Sequence, residues 1–174
     1  MNYKEALIHS MGAMAADPAT CFIGYGVKYG GKAMGTLRNV PENQLVETPV
    51  AENLMVGVAI GMALKGRKPV VFIERFDFIL NAADAIVNHL DKINLISRGE
   101  FAPNIIIRVV AGNRNKPLFT GETHVQDFSA AFRAMVGFPV LQCRSAEEVT
   151  ANYRDAFAGL SRQSSMLIEY KDLI

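Results

Sequence analysis

Apolar residues recur at helical spacing from about Tyr3 to Ala16, through Ala6, Leu7, Met11, Met14 and Ala15, and Asp17-Pro18 ends the run. Thr20-Cys21-Phe22-Ile23 then reads as a short buried strand, with Gly24-Tyr25-Gly26 and Gly30-Gly31 beyond it. A strand followed by clustered glycines suggests a dinucleotide fingerprint. Val27 to Leu37, however, has no helical apolar face to supply the phosphate-binding helix terminus, and the reading is set aside. From Val56 to Leu64 the chain is apolar nearly all round, which predicts a helix buried on most sides. Gly57 and Gly61 share one face of it, where another backbone can come close. Lys68 to Ile73 is a near-continuous apolar strand of the kind covered on both faces. A helix is expected next, with Ile79, Ala83, Ile86, Leu90 and Ile93 as one stripe. Strands follow at Asn104 to Val110 and Phe138 to Cys143. A capping box at Ser145-Ala146-Glu147-Glu148 opens a helix to about Leu160, and Ser165 to Tyr170 is the closing strand. Strands alternating with helices predict an α/β fold: a doubly wound, mainly parallel sheet with helices on both faces. No internal repeat, linker or low-complexity stretch divides residues 1–174, which read as a single domain.

Three stretches carry candidate chemistry. In Glu47-Thr48-Pro49-Val50-Ala51-Glu52-Asn53-Leu54, Thr48 can serve as N-cap, and Pro49 fits the first helical position. A capping box would want its acid or amide at Ala51, so Glu52 lies one residue past the reciprocal bond and its carboxyl is free. One reading makes it an acid favoured by the helix dipole, worth ~0.3–1 kcal/mol. The other makes it a partly desolvated carboxyl, raised in pKa by the apolar helix it leads, that shares a proton with a ligand nitrogen. Thr123-His124-Val125-Gln126 ends a polar, Gly-containing loop, Ala111 to Glu122, and has a capping-box pattern. That pattern sets His124 at the head of a helix, either as a polar surface residue or as a neutral imidazole facing a substrate oxygen. In Arg75-Phe76-Asp77-Phe78 the two aromatic rings fit core positions on spacing alone, and Asp84 and His89 read as structural or solvated.

The 174 residues are 50% hydrophobic with a formal net charge of +1, enough apolar material for a full core. Lys and Arg are dispersed and no basic run is interleaved with aromatics, which argues against a nucleic-acid binder. An early acid and a broken apolar pattern at Met1 to His9 exclude a signal peptide there, and no apolar run is long enough to span a bilayer. A cytosolic location is expected. Cys21 and Cys143 lie far apart in expected strands and read as buried free thiols. The sequence has neither a metal-ligand cluster nor a Gly-x-Ser-x-Gly elbow.

Thr48-Pro49-Val50-Ala51-Glu52, Gly57, Gly61, Lys68-Pro69-Val70-Val71 and Phe76 to Asp84 together resemble the pyrimidine-binding domain of transketolase-like thiamine diphosphate enzymes. The likeness runs from about Tyr3 to Glu169 and is closest to the β subunits of 2-oxo-acid dehydrogenase first components. It implies that Glu52 hydrogen-bonds the aminopyrimidine ring of thiamine diphosphate, that Phe78 stacks on that ring, and that Phe76 and Leu54 are further cofactor contacts. Gly121 to Phe128 resembles the family's substrate-side histidine motif, which makes His124 a substrate contact and, with Glu52, a catalytic residue. Where the family commonly carries acids after the first glycine, this chain has Tyr25 and Gly26, so a proton relay built on those acids is in doubt. The family binds diphosphate and Mg²⁺ through a Gly-Asp-Gly motif that occurs nowhere here. A partner chain carrying that motif and the Mg²⁺ is therefore implied, in an α2β2-like heterotetramer. The chain ends where related β subunits continue into a further domain, which favours a two-chain decarboxylase or carboligase over a standard dehydrogenase component; a piece of a longer subunit would look the same. Two alternatives stay open: a split transketolase acting on sugar phosphates, with Arg38, Arg114 and Lys116 as phosphate candidates, and a non-catalytic binding module.

Overall fold

The computed structural model describes residues 1–113, 115 and 121–174. Helix α1 (Tyr3–Ala15) opens on a capping box: the Asn2 side chain accepts from Glu5 N, and the Glu5 carboxylate accepts from Asn2 N. Then follow β1 (Thr20–Gly24), β2 (Leu45–Glu47), α2 (Glu52–Leu64) and β3 (Lys68–Ile73). Beyond β3 come a 3₁₀ turn (Phe76–Ala82), a π turn (Ala85–Leu90) and the short α3 (Ile93–Ile96). The rest of the chain supplies β4 (Ile106–Ala111), a 3₁₀ turn (Gly121–His124), α4 (Ser129–Met135), β5 (Val140–Gln142), α5 (Ala146–Gly159) and β6 (Ser165–Tyr170). All six strands pair in parallel in the order β2-β1-β3-β4-β6-β5, the doubly wound architecture that the alternating pattern predicts.

Strand parity explains the near-continuous apolar runs. Ile23, Val71, Ile73, Ile107, Val109 and Ile168 face one cluster with Met55, Val56 and Ala59 of α2. Phe22, Val70, Phe72, Ile106, Val110 and Leu167 face the other, with α1 and α5. Both faces are covered, so both parities must be apolar.

Four local expectations need correction. The helix expected through Ile79 and Ile93 is broken: Phe76, Ile79, Ala82 and Ala85 are buried at intervals of three, the period of a 3₁₀ turn, and the chain takes that tighter winding first. Helix α2 is not buried on most sides, because Val50, Leu54, Gly57, Gly61 and Leu64 leave an exposed stripe. Nothing among the described residues lies within 4 Å of a Cβ built on Gly57 or Gly61, so none of them makes the close backbone approach. Strand β2 adds to the strands expected from the apolar pattern; its three residues pair with β1 at the sheet edge. At α5, Ser145 caps Glu148 N as expected, but the Glu148 carboxylate accepts from Arg144 N, so the box does not close on the cap.

One buried ion pair crosses the centre of the sheet. Arg108 on β4 and Glu169 on β6 are both fully buried; Nε and an Nη of the guanidinium donate to the two carboxylate oxygens, each at 2.9 Å. Tyr153 of α5 also donates to Glu169, Arg108 donates to Thr36 Oγ1 at 3.0 Å, and Arg108 stacks over Phe72. Removing one partner strands the other charge without water. Glu169→Ala is expected to cost about 3–5 kcal/mol of stability, measured by urea unfolding, and a loss below about 1 kcal/mol would show that the pair is solvated.

Cys21 and Cys143 are buried free thiols. Burial pushes the Cys143 thiol up to about 12 and raises that of Cys21. Because the thiolate is the nucleophile, neither should react with a disulfide reagent in the native protein at neutral pH, and both should react on unfolding. The folded state holds the Cys143 proton more tightly than the unfolded chain, whose thiol has its ordinary value of about 9. That contribution is complete below pH ~9 and is lost as pH rises towards ~12, so the urea midpoint should fall in that window.

Candidate functional site

Glu52, Phe78 and His124 stand on three turns that leave the sheet at one edge, the carboxyl ends of the strands, where parallel α/β sheets bind ligands. Helix α2 packs on the Phe76–Ala82 turn, and that turn packs on Gly121–His124. The Phe76–Ala82 turn is therefore common ground for the other two.

Glu52 is the first residue of α2 and is 6% exposed. The helix begins three residues later than Pro49. Thr48 N donates to Gly24 O at 3.0 Å, extending the β1–β2 ladder, so Thr48 belongs to the sheet and cannot turn into a cap. Ala51 stands at the N-cap without a side-chain bond, and the Thr48 hydroxyl is buried without a partner among the described residues. This shift puts Glu52 in the first helical position, facing inward, with the helix dipole acting on it. Asn81 Nδ2, at the far end of the 3₁₀ turn, donates to Glu52 Oε2 at 3.3 Å. A half-filled carboxylate beside an apolar helix is suited to a shared proton with a ring nitrogen. Asn81 was part of the sequence motif but had no role assigned from it; only the fold brings it to Glu52.

Phe78 is half-buried and meets the His124 imidazole edge-to-face, with centroids 5.2 Å apart. Phe76 is fully buried, stacked with Phe132 at 6.0 Å and edge-on to Phe128 at 5.9 Å. It supports the turn from beneath and offers no surface of its own. Leu54 is 47% exposed on the outer stripe of α2.

His124 does not head a helix. It ends the Gly121–His124 turn, and α4 starts only at Ser129, after Asp127 Oδ1 has accepted from Ser129 N at 2.8 Å. The dipole argument for a neutral imidazole therefore lapses. Thr123 Oγ1 lies 3.1 Å from His124 Nδ1, and Gln126, expected to close a capping box, reaches across to Asp77 instead. Gly112, at the end of β4, is close beneath: a Cβ there would lie 1.9 Å from His124 O, so only glycine fits.

The segment after β1 is fastened by Glu47, the last residue of β2. Glu47 accepts from Gly26 N at 2.6 Å, Lys28 N at 2.7 Å and Tyr29 N at 3.3 Å. Its carboxylate orders the backbone next to Tyr25 and Gly26. Of the basic candidates, Arg38 is exposed, and Arg114 and Lys116 lie outside the described residues.

Comparison with known proteins identifies the family. Residues 2–174 match the family model described as the transketolase pyrimidine-binding domain. The pyruvate dehydrogenase E1 component subunit beta of Saccharomyces cerevisiae is 33% identical over 153 residues, covering 85% of this chain and 41% of that protein. The subunit beta-2 of Oryza sativa is 31% identical over 153 residues, covering 85% and 40%. The chain thus spans about two-fifths of the length of these relatives. Among solved structures, a split-gene transketolase described as an inactive beta4 tetramer superposes with a TM-score of 0.75 at 14% identity, covering 98% of this chain and 52% of that one. The thiamine diphosphate-dependent 4-hydroxybenzoylformate decarboxylase of Rhodococcus jostii gives a TM-score of 0.69 at 15% identity, covering 99% and 30%. A match across nearly the whole chain, on a six-stranded parallel sheet that gathers Glu52, Phe78 and His124 at one edge, makes this chain a member of the transketolase pyrimidine-binding domain family.

Proposed function

We propose that this chain is the pyrimidine-binding half of a two-chain thiamine diphosphate-dependent enzyme that cleaves or forms a carbon–carbon bond next to a carbonyl, with 2-oxo acids as its substrates. The observation that carries the reading is the placement of Glu52: a buried carboxyl at the start of α2, held by Asn81 on one oxygen, with Phe78 and His124 on the adjoining turns. Those residues fit an aminopyrimidine. Glu52 would share a proton with its ring nitrogen, Phe78 would lie against its face, and His124 would meet a substrate oxygen. When bound, thiamine diphosphate supplies the carbanion and the electron sink, and the protein's part is to orient it and tune its protons. A carboxyl is suited to that task where water is excluded, because proton sharing is then worth more. The relatives named pyruvate dehydrogenase subunits support a 2-oxo acid as substrate.

The diphosphate and Mg²⁺ fall to a separate subunit carrying a Gly-Asp-Gly motif, in an α2β2-like assembly. The exposed stripe of Leu54, Gly57, Gly61 and Leu64 on α2, with Val50 just ahead of it, supports such a partner, since no described residue covers that apolar face. Leu54 then meets the partner and lines the cofactor's edge of the interface.

The test is a complex purified with its partner subunit, thiamine diphosphate and Mg²⁺, and assayed on 2-oxo acids and on ketose phosphates. Glu52→Gln should melt like the parent and still assemble, but lose activity by about 100-fold or more, the scale of a lost proton-transfer group. A fully active variant would sink the assignment. Turnover of ketose phosphates in place of 2-oxo acids would move the chain to the split-transketolase reading, and cofactor binding without any turnover to a binding module.

A further inference from the structure

Two segments 46 to 52 residues apart by their own numbering close on each other rung by rung beside the site. His124 stands edge-to-face on Phe78 with centroids 5.2 Å apart. Gln126 donates its side-chain amide to Asp77 Oδ1 at 2.7 Å and its backbone N–H to Oδ2 at 3.4 Å. Phe128 stands edge-on to Phe76 at 5.9 Å. Residues 124, 126 and 128 thus meet 78, 77 and 76 in turn.

The rungs differ in what they fix. Edge-to-face aromatic contacts hold over a range of centroid distances, from about 4.5 to 7 Å, so a ring can slide without losing its partner. A carboxylate that engages a backbone N–H and a side-chain amide of the same residue admits one register. Gly112 supplies a floor, since the backbone of His124 and Val125 already lies where a Cβ would be, and buried Val125 anchors the segment to it. A floor and an anchor stop the segment from sinking or lifting; they do not stop it from shifting along the Phe76–Phe78 edge.

We infer that Asp77 is a positioning residue for His124: by gripping Gln126 through both carboxylate oxygens it sets the register of residues 124–128, and so the direction in which the imidazole faces. This rests on the reading of His124 as the substrate-side group, but what it asserts is where the ring is held. Asp77 touches neither reacting atoms nor cofactor in this role.

The geometry can be read by NMR on the chain itself, without cofactor or partner. Phe78→Leu provides the reference signal of His124 ring protons free of the Phe78 ring current. Asp77→Ala should move those protons measurably towards that reference, as the imidazole shifts along the Phe78 ring, and speed exchange of the Gln126 backbone amide by about tenfold or more, the loss of a charge-assisted hydrogen bond. Asp77→Asn keeps one acceptor and an amide that pairs with a flipped Gln126, so it should restore most of the parent signal. Should Asp77→Ala fail to fold, Gln126→Ala removes the shorter, side-chain half of that rung and should move the His124 ring protons in the same direction by a smaller amount, and unchanged His124 signals in it overturn the inference likewise. Unchanged His124 and Gln126 signals in a folded Asp77→Ala protein overturn the inference. The two readings fail separately, because a reconstituted His124→Ala enzyme with unchanged kcat/KM overturns the substrate role alone.

Discussion

Because β3 and β4 pair in parallel, with Val70 opposite Ile106 and Ile73 opposite Val109, the segments that leave them emerge side by side from the same edge. A parallel pair cannot be closed by a tight hairpin; each strand must hand the chain to a long connection that returns over a face of the sheet. The turn after β3 carries Phe76, Asp77, Phe78 and Asn81, and the turn after β4 carries His124 and Gln126. On the outer side, β1 sits between β2 and β3, which brings Glu47 and then Glu52 to the same edge. Residues from three loops meet there because the sheet's direction leaves them no other place.

Holding those loops requires polar groups that pack where water cannot follow. Between Gly26 and Leu37 the chain winds the wrong way: Lys32, Ala33 and Met34 have φ of 44°, 50° and 59°, and Gly35 continues at 79°. Each non-glycine residue in that region costs roughly 1–2 kcal/mol. Offsetting contacts surround the turn. Ala33 is buried, its carbonyl accepts from the Thr36 hydroxyl, and that same hydroxyl accepts from Arg108. Arg108 in turn is fixed by Glu169, and Glu47 ties the start of the loop. The buried ion pair thus reaches from the centre of the sheet into the loop nearest to Tyr25 and Gly26.

What the sequence could show followed the range of the interactions involved. Strands β3 and β6 were legible to the residue, because burial on both faces writes an unbroken apolar run. The burial of Glu52 was legible from the apolar helix behind it. The two helix starts built on threonine were not. Thr48 has its N–H drawn into the β1–β2 ladder, and Gln126, three residues after Thr123, is claimed by Asp77 from 49 positions away. Local capping rules assume that no distant partner competes, and at both places one does. Strand β2 was hidden for a related reason: three residues ending in an acid have no periodicity to read, and only pairing with β1 makes them a strand. Asn81 and Asp77 belong to the same class, since their partners are fixed by the sheet and not by spacing.

The apolar composition of α2 takes on a different meaning once the fold is known. Read along the chain, an all-round apolar helix should vanish into a core; in the fold, one face does so through Met55, Val56, Ala59 and Ile60 while the opposite face lies open. Gly57 and Gly61 on that open face give up helix stability, about 1 kcal/mol each against alanine, with no contact among the described residues to return it. Glycine at two successive turns lowers the helix surface enough for another backbone to approach, and the flanking Leu54 and Leu64 would seal such a contact at either end. Glu52 itself faces inward with Met55, Val56 and Ala59, so a chain seated on the stripe would pack on the other side of the helix that carries it. The two faces of α2 thus divide the work: the inner one buries Glu52 against the sheet, and the outer one leaves an apolar surface with room for another backbone.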